Sequence, residues 1–125
     1  MKNNLDSLTH HVDPFSNKAK QLSLEFDTAT INKDLKTLRE LLDNAEKSLD
    51  NENDASKAMI YYSLGTAYDD FARFTNNRTE ASFQKVISYF RKSIKLIEQD
   101  KYTDERYTPY VLGLKKYFIL IMLML

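Results

Sequence analysis

Few side chains in this sequence are suited to metal binding. The chain has only two histidines, His10 and His11, and both lie beside Asp13 in the segment HHVD. A metal site needs further ligands on a rigid frame, and the sequence offers no third histidine and no cysteine. We therefore interpret HHVD as a solvated tail, and we expect no metal and no other cofactor.

Two adjacent carboxylates, Asp69 and Asp70, are the second candidate for chemistry. Paired carboxylates can act as acid and base, but neighbouring residues of a helix point in different directions. The same shortage of histidine and cysteine removes most nucleophilic schemes. Neither glycine of the chain, Gly65 or Gly113, belongs to a phosphate-binding motif. We predict that the protein is not an enzyme.

A basic run near residue 90 is the third candidate. Its cations and neighbouring tyrosines are Tyr89, Arg91, Lys92, Lys95, Lys101 and Tyr102. Cations interleaved with aromatic rings can bind the phosphates and bases of RNA. The alternative is the solvated outer face of an amphipathic helix, which we prefer. An RNA-associated module that uses the basic face of helix 80–99 is the second hypothesis, although we do not expect a nucleic-acid partner.

The composition indicates one all-α domain. The 125 residues carry 18 basic and 18 acidic side chains, only two glycines and two prolines, and no cysteine. Residues 1–55 hold 7 basic and 11 acidic side chains, whereas residues 56–125 hold 11 and 7. Residues 1–13 read as a flexible tail without the apolar core of a signal peptide, and residues 14–125 as the domain. We expect a cytoplasmic protein that does not bind membranes.

Apolar residues at spacings of three and four predict five helices. The first is expected over residues 14–29, with Asp13 as its N-cap and Pro14 in its first turn. The second lies within residues 31–50, and its apolar stripe is Leu35, Leu38, Leu42, Ala45 and Leu49.

Three further helices follow. The third is expected over residues 56–74, with Asp54 or Ser56 as its cap. Its apolar stripe is Tyr61, Leu64, Tyr68 and Phe71. The fourth follows Thr79 as cap and reaches about residue 99. Its stripe is Val86, Phe90, Ile94 and Ile97. A fifth begins beyond residue 103 and runs to the last residue.

A shift of 48 positions superposes parts of this pattern. It moves the stripe of the second helix, Leu38, Leu42, Ala45 and Leu49, onto Val86, Phe90, Ser93 and Ile97. It also moves Gly65 of YSLG onto Gly113 of YVLG, so that both glycines take equivalent places. A glycine inside a helix costs about 1 kcal/mol relative to alanine. We therefore predict a repeated helix pair, with Gly65 at a close approach between helices.

The stretch YYSLGTAY resembles the first helix of a tetratricopeptide repeat, whose pattern is W-x₂-L-G-x₂-Y in a unit of roughly 34 residues. The matching residues, with Tyr61 at the tryptophan position, are Tyr61, Leu64, Gly65, Tyr68, Val86, Phe90 and Ser93. The resemblance covers about residues 30–115. It departs from the family in the longer separation between Gly65 and Val86, and in Lys116, which stands where the third unit should have tyrosine.

The resemblance implies antiparallel helix pairs stacked as a short solenoid of about five helices. It also implies a scaffold that binds a protein or peptide on its concave face. Carried over by position, that face consists of Met59, Tyr62, Ser63, Thr66, Asp69 and Asp70. These side chains favour a neutral or cationic ligand. The long helices are also similar to the repeats that precede HEPN-type ribonuclease domains, which would make this chain an N-terminal sensor fragment.

Nine apolar residues, YFILIMLML, form the segment 117–125. A membrane span needs about 20 apolar residues, so a spanning helix is not expected. The segment could be the first helix of a repeat whose second helix is missing, an interface for self-association, or a short membrane-inserting tail. We favour the first interpretation, because the 48-residue register continues into this helix.

Overall fold

A computed structural model describes residues 15–98, which form four α-helices and one 3₁₀ helix. The elements are α1 (Asn17–Ile31), α2 (Leu35–Ala45), the 3₁₀ helix (Glu46–Leu49), α3 (Asp54–Phe74) and α4 (Glu80–Glu98). This part of the chain contains no strand, so the all-α prediction is confirmed for it. The expected tail, the fifth helix, Gly113 and the segment 117–125 lie outside the described residues.

Local capping sets the starts of α1 and α3. The Ser16 hydroxyl accepts a hydrogen bond from the Ala19 N–H at 3.1 Å, so α1 begins at Asn17, three residues later than predicted. The Asn53 side chain accepts from the Ser56 N–H at 2.8 Å and caps α3 in place of the two residues predicted. Ser56 is buried instead, and its hydroxyl accepts the Ser16 N–H at 2.9 Å. This bond joins the start of α1 to the start of α3.

The two remaining helices are capped by residues that precede them directly. The Asp34 carboxylate accepts from the Thr37 N–H at 3.2 Å and from its hydroxyl at 2.7 Å. Thr79 and Ser82 exchange side-chain-to-backbone hydrogen bonds of 2.9 and 3.1 Å, which caps α4 as the sequence predicts. The second helix is shorter than predicted, because the chain tightens into the 3₁₀ helix after Ala45.

The helices α1 and α3 end in turns of the same type. The Asp34 N–H donates to the Ala29 carbonyl, and the Asn77 N–H donates to the Ala72 carbonyl, both at 2.8 Å. The residue before each donor is left-handed, with φ of 50° at Lys33 and 56° at Asn76. Both are Schellman turns, in which the last carbonyls of a helix find new donors.

These turns define two helical hairpins, which we call the first hairpin (α1 and α2) and the second hairpin (α3 and α4). In the second, the Ser93 hydroxyl donates to the Ala58 carbonyl at 2.6 Å. Arg78 pairs with Asp69 at 3.2 Å near the other end, so α3 and α4 are antiparallel. The Ser16–Ser56 hydrogen bond joins the starts of α1 and α3, and Thr30 and Asp70 near their ends line one groove, so α1 runs parallel to α3.

The central element is α3, which contacts α1, α2 and α4. Its buried residues therefore face all three neighbours, and they include Ile60, Leu64 and Ala67. The largest core cluster joins them to Leu38 and Leu42 of α2. No helix within residues 15–98 is long and apolar enough to cross a membrane.

Gly65 lies directly under the ring of Phe90. A Cβ atom built on Gly65 would stand 2.7 Å from Cε1 and 2.9 Å from Cδ1 of that ring, which is closer than carbon atoms can approach. Phe90 is only 2% exposed and cannot easily move aside. The largest interface between helices, that of α3 with α4, therefore depends on the absence of a side chain at Gly65.

Candidate functional site

An open groove of about 390 Å³ lies between α1 and α3, and we call it the α1–α3 groove. Its wall on α1 consists of Ser23, Phe26, Asp27, Thr30 and Ile31. Its wall on α3 consists of Tyr62, Ser63, Thr66, Ala67 and Asp70. The groove thus combines apolar surface, hydroxyl groups and two carboxylates, and none of the ten residues is basic.

Four of the six residues that the sequence places on a concave face line this groove: Tyr62, Ser63, Thr66 and Asp70. The other two lie elsewhere. Met59 packs against the largest core cluster, and Asp69 pairs with Arg78 of the loop before α4. Asp69 and Asp70 thus point to different sides of α3, as expected for neighbours on a helix.

The α1 wall was missed by sequence reasoning. Ser23, Asp27 and Thr30 follow one another at spacings of four and three, which places them on one face of α1. This polar stripe was the available signal. The stripe predicts a groove wall only when α1 is known to lie beside α3, because each helix supplies half of the lining residues.

Asp70 is a buried carboxylate, with 9% of its surface exposed. Burial raises the pKa of Asp70 above its usual value of 3.8. The Arg73 guanidinium, one turn further along α3, pulls that pKa down, while Asp69 and Asp27 push it up. The Thr30 hydroxyl on the facing wall also lowers it.

Tyr62, also on the α3 wall, is half-buried. Burial raises the pKa of the Tyr62 hydroxyl, and the nearby Asp27 carboxylate raises it further. The Thr66 hydroxyl donates to the Tyr62 carbonyl at 2.6 Å, which holds Thr66 against its own helix. The acidic groups of the groove therefore lie close enough to influence one another.

Ser63 differs from the other buried polar side chains. Those with 9% exposure or less within residues 15–96 are Ser56, Ser63, Asp69, Asp70 and Ser93. Ser56, Ser93 and the two aspartates each have a hydrogen-bond or ion-pair partner. The Ser63 hydroxyl has none in the part of the chain that the structure describes, and it faces the groove at 7% exposure.

The residues on which the resemblance to a repeat rests lie in the core between the helices. Leu64, Val86 and Ser93 are at most 1% exposed. Tyr61 and Tyr68 flank the buried Tyr89 ring, with centroids 6.1 and 5.7 Å away.

Tyr89 also bonds through its hydroxyl to the Glu46 carboxylate. Burial and this hydrogen bond raise the pKa of the Tyr89 hydroxyl far above its usual value of 10.0. At 4% exposure, Tyr89 is therefore a core residue and presents no ring for base stacking.

The basic residues of α4 form an exposed stripe. Arg91, Lys92 and Lys95 are exposed, as is Lys85 two turns earlier. Lys92 lies 5.6 Å from the centre of the Tyr61 ring, and Lys85 lies 4.3 Å from that of Tyr68. Half of the stripe thus rests on the tyrosines of α3, and half faces solvent. Lys101 and Tyr102 lie outside the described residues.

Within residues 15–98, no group of three histidine, cysteine, aspartate or glutamate side chains could hold a metal ion. Comparison of the chain with protein-family models, with curated proteins and with solved structures found no match in any of the three.

Proposed function

We propose that the protein is a non-catalytic scaffold that binds a segment of a partner protein in the α1–α3 groove. The observation that supports it is the groove itself, which is open, of mixed polarity and formed by two parallel helices. A cleft between parallel helices can accept an extended chain along its length. The cysteine-free sequence suits a reducing cytoplasm, which we propose as the location.

We further propose that the two hairpins are units of a short solenoid that resembles tetratricopeptide repeats. The supporting observations are the parallel neighbours α1 and α3, and the identical turns that end them. The buried residues Leu38 and Leu42 of α2 also correspond to the buried Val86 and Phe90 of α4 at the 48-residue shift. In this arrangement, the α1–α3 groove lies where first helices of successive units meet.

A random peptide library selected against the wild-type protein tests the scaffold proposal. The groove is closed by Thr66→Phe, which places a ring between the two walls. The matched control is Gln84→Phe, which adds the same ring at an exposed position of α4. Selected peptides should bind the wild type and the control, and should lose most of their affinity for Thr66→Phe. Equal affinity for all three proteins would refute binding in the groove.

A second candidate function, RNA association, is favoured by the basic stripe of α4. Its cations carry no acidic residue among them, because the acids of α4 are Glu80 and Glu98 at its two ends. Labelled oligouridine should bind with an affinity that falls steeply with salt, and the triple variant Arg91→Ala/Lys92→Ala/Lys95→Ala should abolish binding. Absence of salt-dependent binding would remove this candidate and leave the peptide scaffold.

A further inference from the structure

We infer that the α1–α3 groove recognises an arginine side chain of its partner, with the guanidinium held by Ser63 and Asp27, and with Asp70, two turns further along α3, adding to the negative charge of the groove. The inference rests on the proposed scaffold function and names the chemical group that anchors the partner.

The first observation is the Ser63 hydroxyl. It is more than nine-tenths buried, it faces the groove, and no group among the described residues forms a hydrogen bond with it. A buried hydroxyl without a partner is costly, whereas the other buried polar side chains of this structure are satisfied. Ser63 therefore marks the position where a polar group of a ligand would gain most by binding.

The second observation is the kind of polar group that lines the groove together with Ser63. The two carboxylates, Asp27 and Asp70, can only accept hydrogen bonds when ionised. Asp70 already accepts a hydrogen bond from Arg73, but a carboxylate has about four acceptor positions and keeps some of them open. A ligand that supplies several donors and no acceptor matches this set, and the guanidinium group does so.

The charge of the groove also favours a guanidinium group. Among the described residues, no lysine or arginine lines the groove, and Asp27 raises the pKa values of both Tyr62 and Asp70. Asp27 and Asp70 therefore repel each other, and Arg73 offsets only part of their negative charge. A cation bound among them relieves that repulsion, and an anion increases it.

The apolar walls distinguish arginine from lysine. Phe26 is buried, Tyr62 is half-buried, and Ile31 is 80% exposed at the end of α1. Such surface suits the methylene stem of a long side chain. A guanidinium is planar, stacks on aromatic rings and can bond to several acceptors at once, whereas an ammonium is a compact and strongly hydrated charge. The Tyr62 ring, which lies near the Asp27 carboxylate, favours the guanidinium.

The probe is N-acetyl-arginine amide, titrated into the ¹⁵N-labelled full-length protein and followed by NMR. The matched probe is N-acetyl-citrulline amide, which has the same shape without the charge. Arginine should shift the amide signals of the α1–α3 groove in a saturable way, and citrulline should bind about tenfold more weakly. Equal binding of both, tighter binding of the corresponding lysine amide, or shifts located elsewhere would each overturn the inference.

Variants test the named residues. Asp27→Asn should weaken arginine binding about tenfold, and Ser63→Ala several-fold, because each removes an acceptor. Asp27 is exposed and Ser63 is small, so both variants should keep the helical circular dichroism of the wild type. Asp43→Asn, which removes an exposed carboxylate of α2 outside the groove, is the control and should bind as the wild type does. Unchanged binding by Asp27→Asn and Ser63→Ala would overturn the inference.

The selected peptides separate this inference from the scaffold proposal. Peptides that depend on an open groove but contain no excess of arginine would refute the inference and support the scaffold. Peptides rich in arginine that bind Thr66→Phe as well as the wild type would refute both. Arginine-rich peptides that lose affinity for both Thr66→Phe and Asp27→Asn support both.

Discussion

The first hairpin packs alanine and leucine side chains between its helices, whereas the second packs an aromatic ring onto a glycine. Ala29, Leu38 and Ala45 are buried in the first, and Phe90 covers Gly65 in the second. The helices of the second hairpin are also longer, with 21 and 19 residues against 15 and 11. The two hairpins nevertheless end their first helices with identical turns.

The turns provide a common reference for comparing positions. Counted back from the residue that ends each first helix, Leu22 of α1 corresponds to Gly65 of α3. Counted forward from the residue that caps each second helix, Ala45 of α2 corresponds to Phe90 of α4. Leu22 and Ala45 line the same shallow groove between α1 and α2. The first hairpin thus places a large residue on the first helix and a small one on the second, and the second hairpin reverses this.

The two hairpins share a backbone feature, the turn, but differ in the side chains packed between their helices. The turn repeats without change, while the sizes of the residues between the helices are exchanged. Counting from the turns relates α2 to α4 by 45 residues, and the sequence shift of 48 differs from this by slightly less than one helical turn. Both shifts keep the same face of the helix buried, which is why apolar periodicity alone does not distinguish them.

The largest expected effect comes from exchanging the two residues of the second hairpin. Phe90→Ala should destabilise the fold by about 3–5 kcal/mol through the cavity it leaves, and Gly65→Leu by about 1–3 kcal/mol through overpacking. The double variant reproduces the arrangement of the first hairpin, in which leucine faces alanine. It should cost at least about 1 kcal/mol less than the sum of the single variants, because each change makes room for the other.

Urea denaturation of the wild type, the two single variants and the double variant measures this coupling. If the free-energy changes of the single variants simply added up in the double variant, the proposed correspondence between the two hairpins would be refuted. A Gly65→Leu variant as stable as the wild type would refute the close approach of α3 and α4 at this glycine.

The hydrogen bond between Tyr89 and Glu46 carries the next largest effect. It joins the second hairpin to the 3₁₀ helix that follows the first. Tyr89→Phe should cost about 1 kcal/mol, since it removes the bond and keeps the ring. Tyr61→Phe is the matched control in the same aromatic cluster and should change stability by less than about 0.5 kcal/mol. Equal effects in thermal denaturation would show that the bond does not hold the hairpins together.

The turns themselves offer a finer comparison. Lys33 and Asn76 occupy the same left-handed position, which glycine tolerates best and asparagine better than lysine. Lys33→Gly should therefore stabilise the protein by up to about 1 kcal/mol, and Asn76→Gly by only a few tenths. Melting temperatures of the two variants check the order. A larger gain at Asn76 would mean that the two turns are not equivalent in solution.

The smallest effect is a difference in pH response between Asp34, the cap of α2, and Asp70 in the groove. Hydrogen bonds from Thr37 lower the pKa of Asp34, so its contribution to stability is complete above 3.8 and is lost as the pH falls through the folded pKa. Burial raises the pKa of Asp70, so its contribution is complete below 3.8 and is lost as the pH rises through the folded pKa.

Denaturation between about pH 6 and about pH 3 tests these opposite signs against Asp34→Asn and Asp70→Asn. On acidification, the wild type should lose stability relative to Asp34→Asn, because asparagine also caps a helix but does not titrate. It should gain stability relative to Asp70→Asn. Changes of the same sign for both pairs would contradict the environments assigned to the two carboxylates.

The sequence predicted those parts of the fold that depend on residues close together in the chain. The period of three and four located the buried faces of α2 and α4, and Leu38, Leu42, Val86 and Phe90 are buried as expected. Helix starts were less certain, because several neighbouring residues can cap a helix. Ser16 caps α1 while it also bonds to Ser56 and Glu52, which the local sequence does not reveal. Asn53 caps α3 through a local bond from the Ser56 N–H, in place of Asp54.

Only the α3 wall of the groove could be predicted from the sequence, because the α1 wall depends on contacts between distant residues. The residues of α3 could be found by their match to a known pattern, whereas Asp27 and Thr30 belong to the groove only because α1 lies beside α3. Contacts between residues about 40 positions apart decide this, and no periodicity encodes them. That the Ser63 hydroxyl lacks a partner within residues 15–98 also depends on the fold, because contacts between helices decide which buried polar groups are paired.

The order of large and small residues is reversed between the hairpins, at Leu22 and Ala45 in the first and at Gly65 and Phe90 in the second. This reversal also influences which helices pair during folding. If α1 paired with α4, leucine would meet phenylalanine and the helices could not close. If α3 paired with α2, glycine would meet alanine and leave a hole. Two hairpins built from identical pairs would lack this discrimination, and their helices could exchange within one chain or between chains. The close contact between Gly65 and Phe90 thus favours the native pairing of α3 with α4 over the alternative pairings.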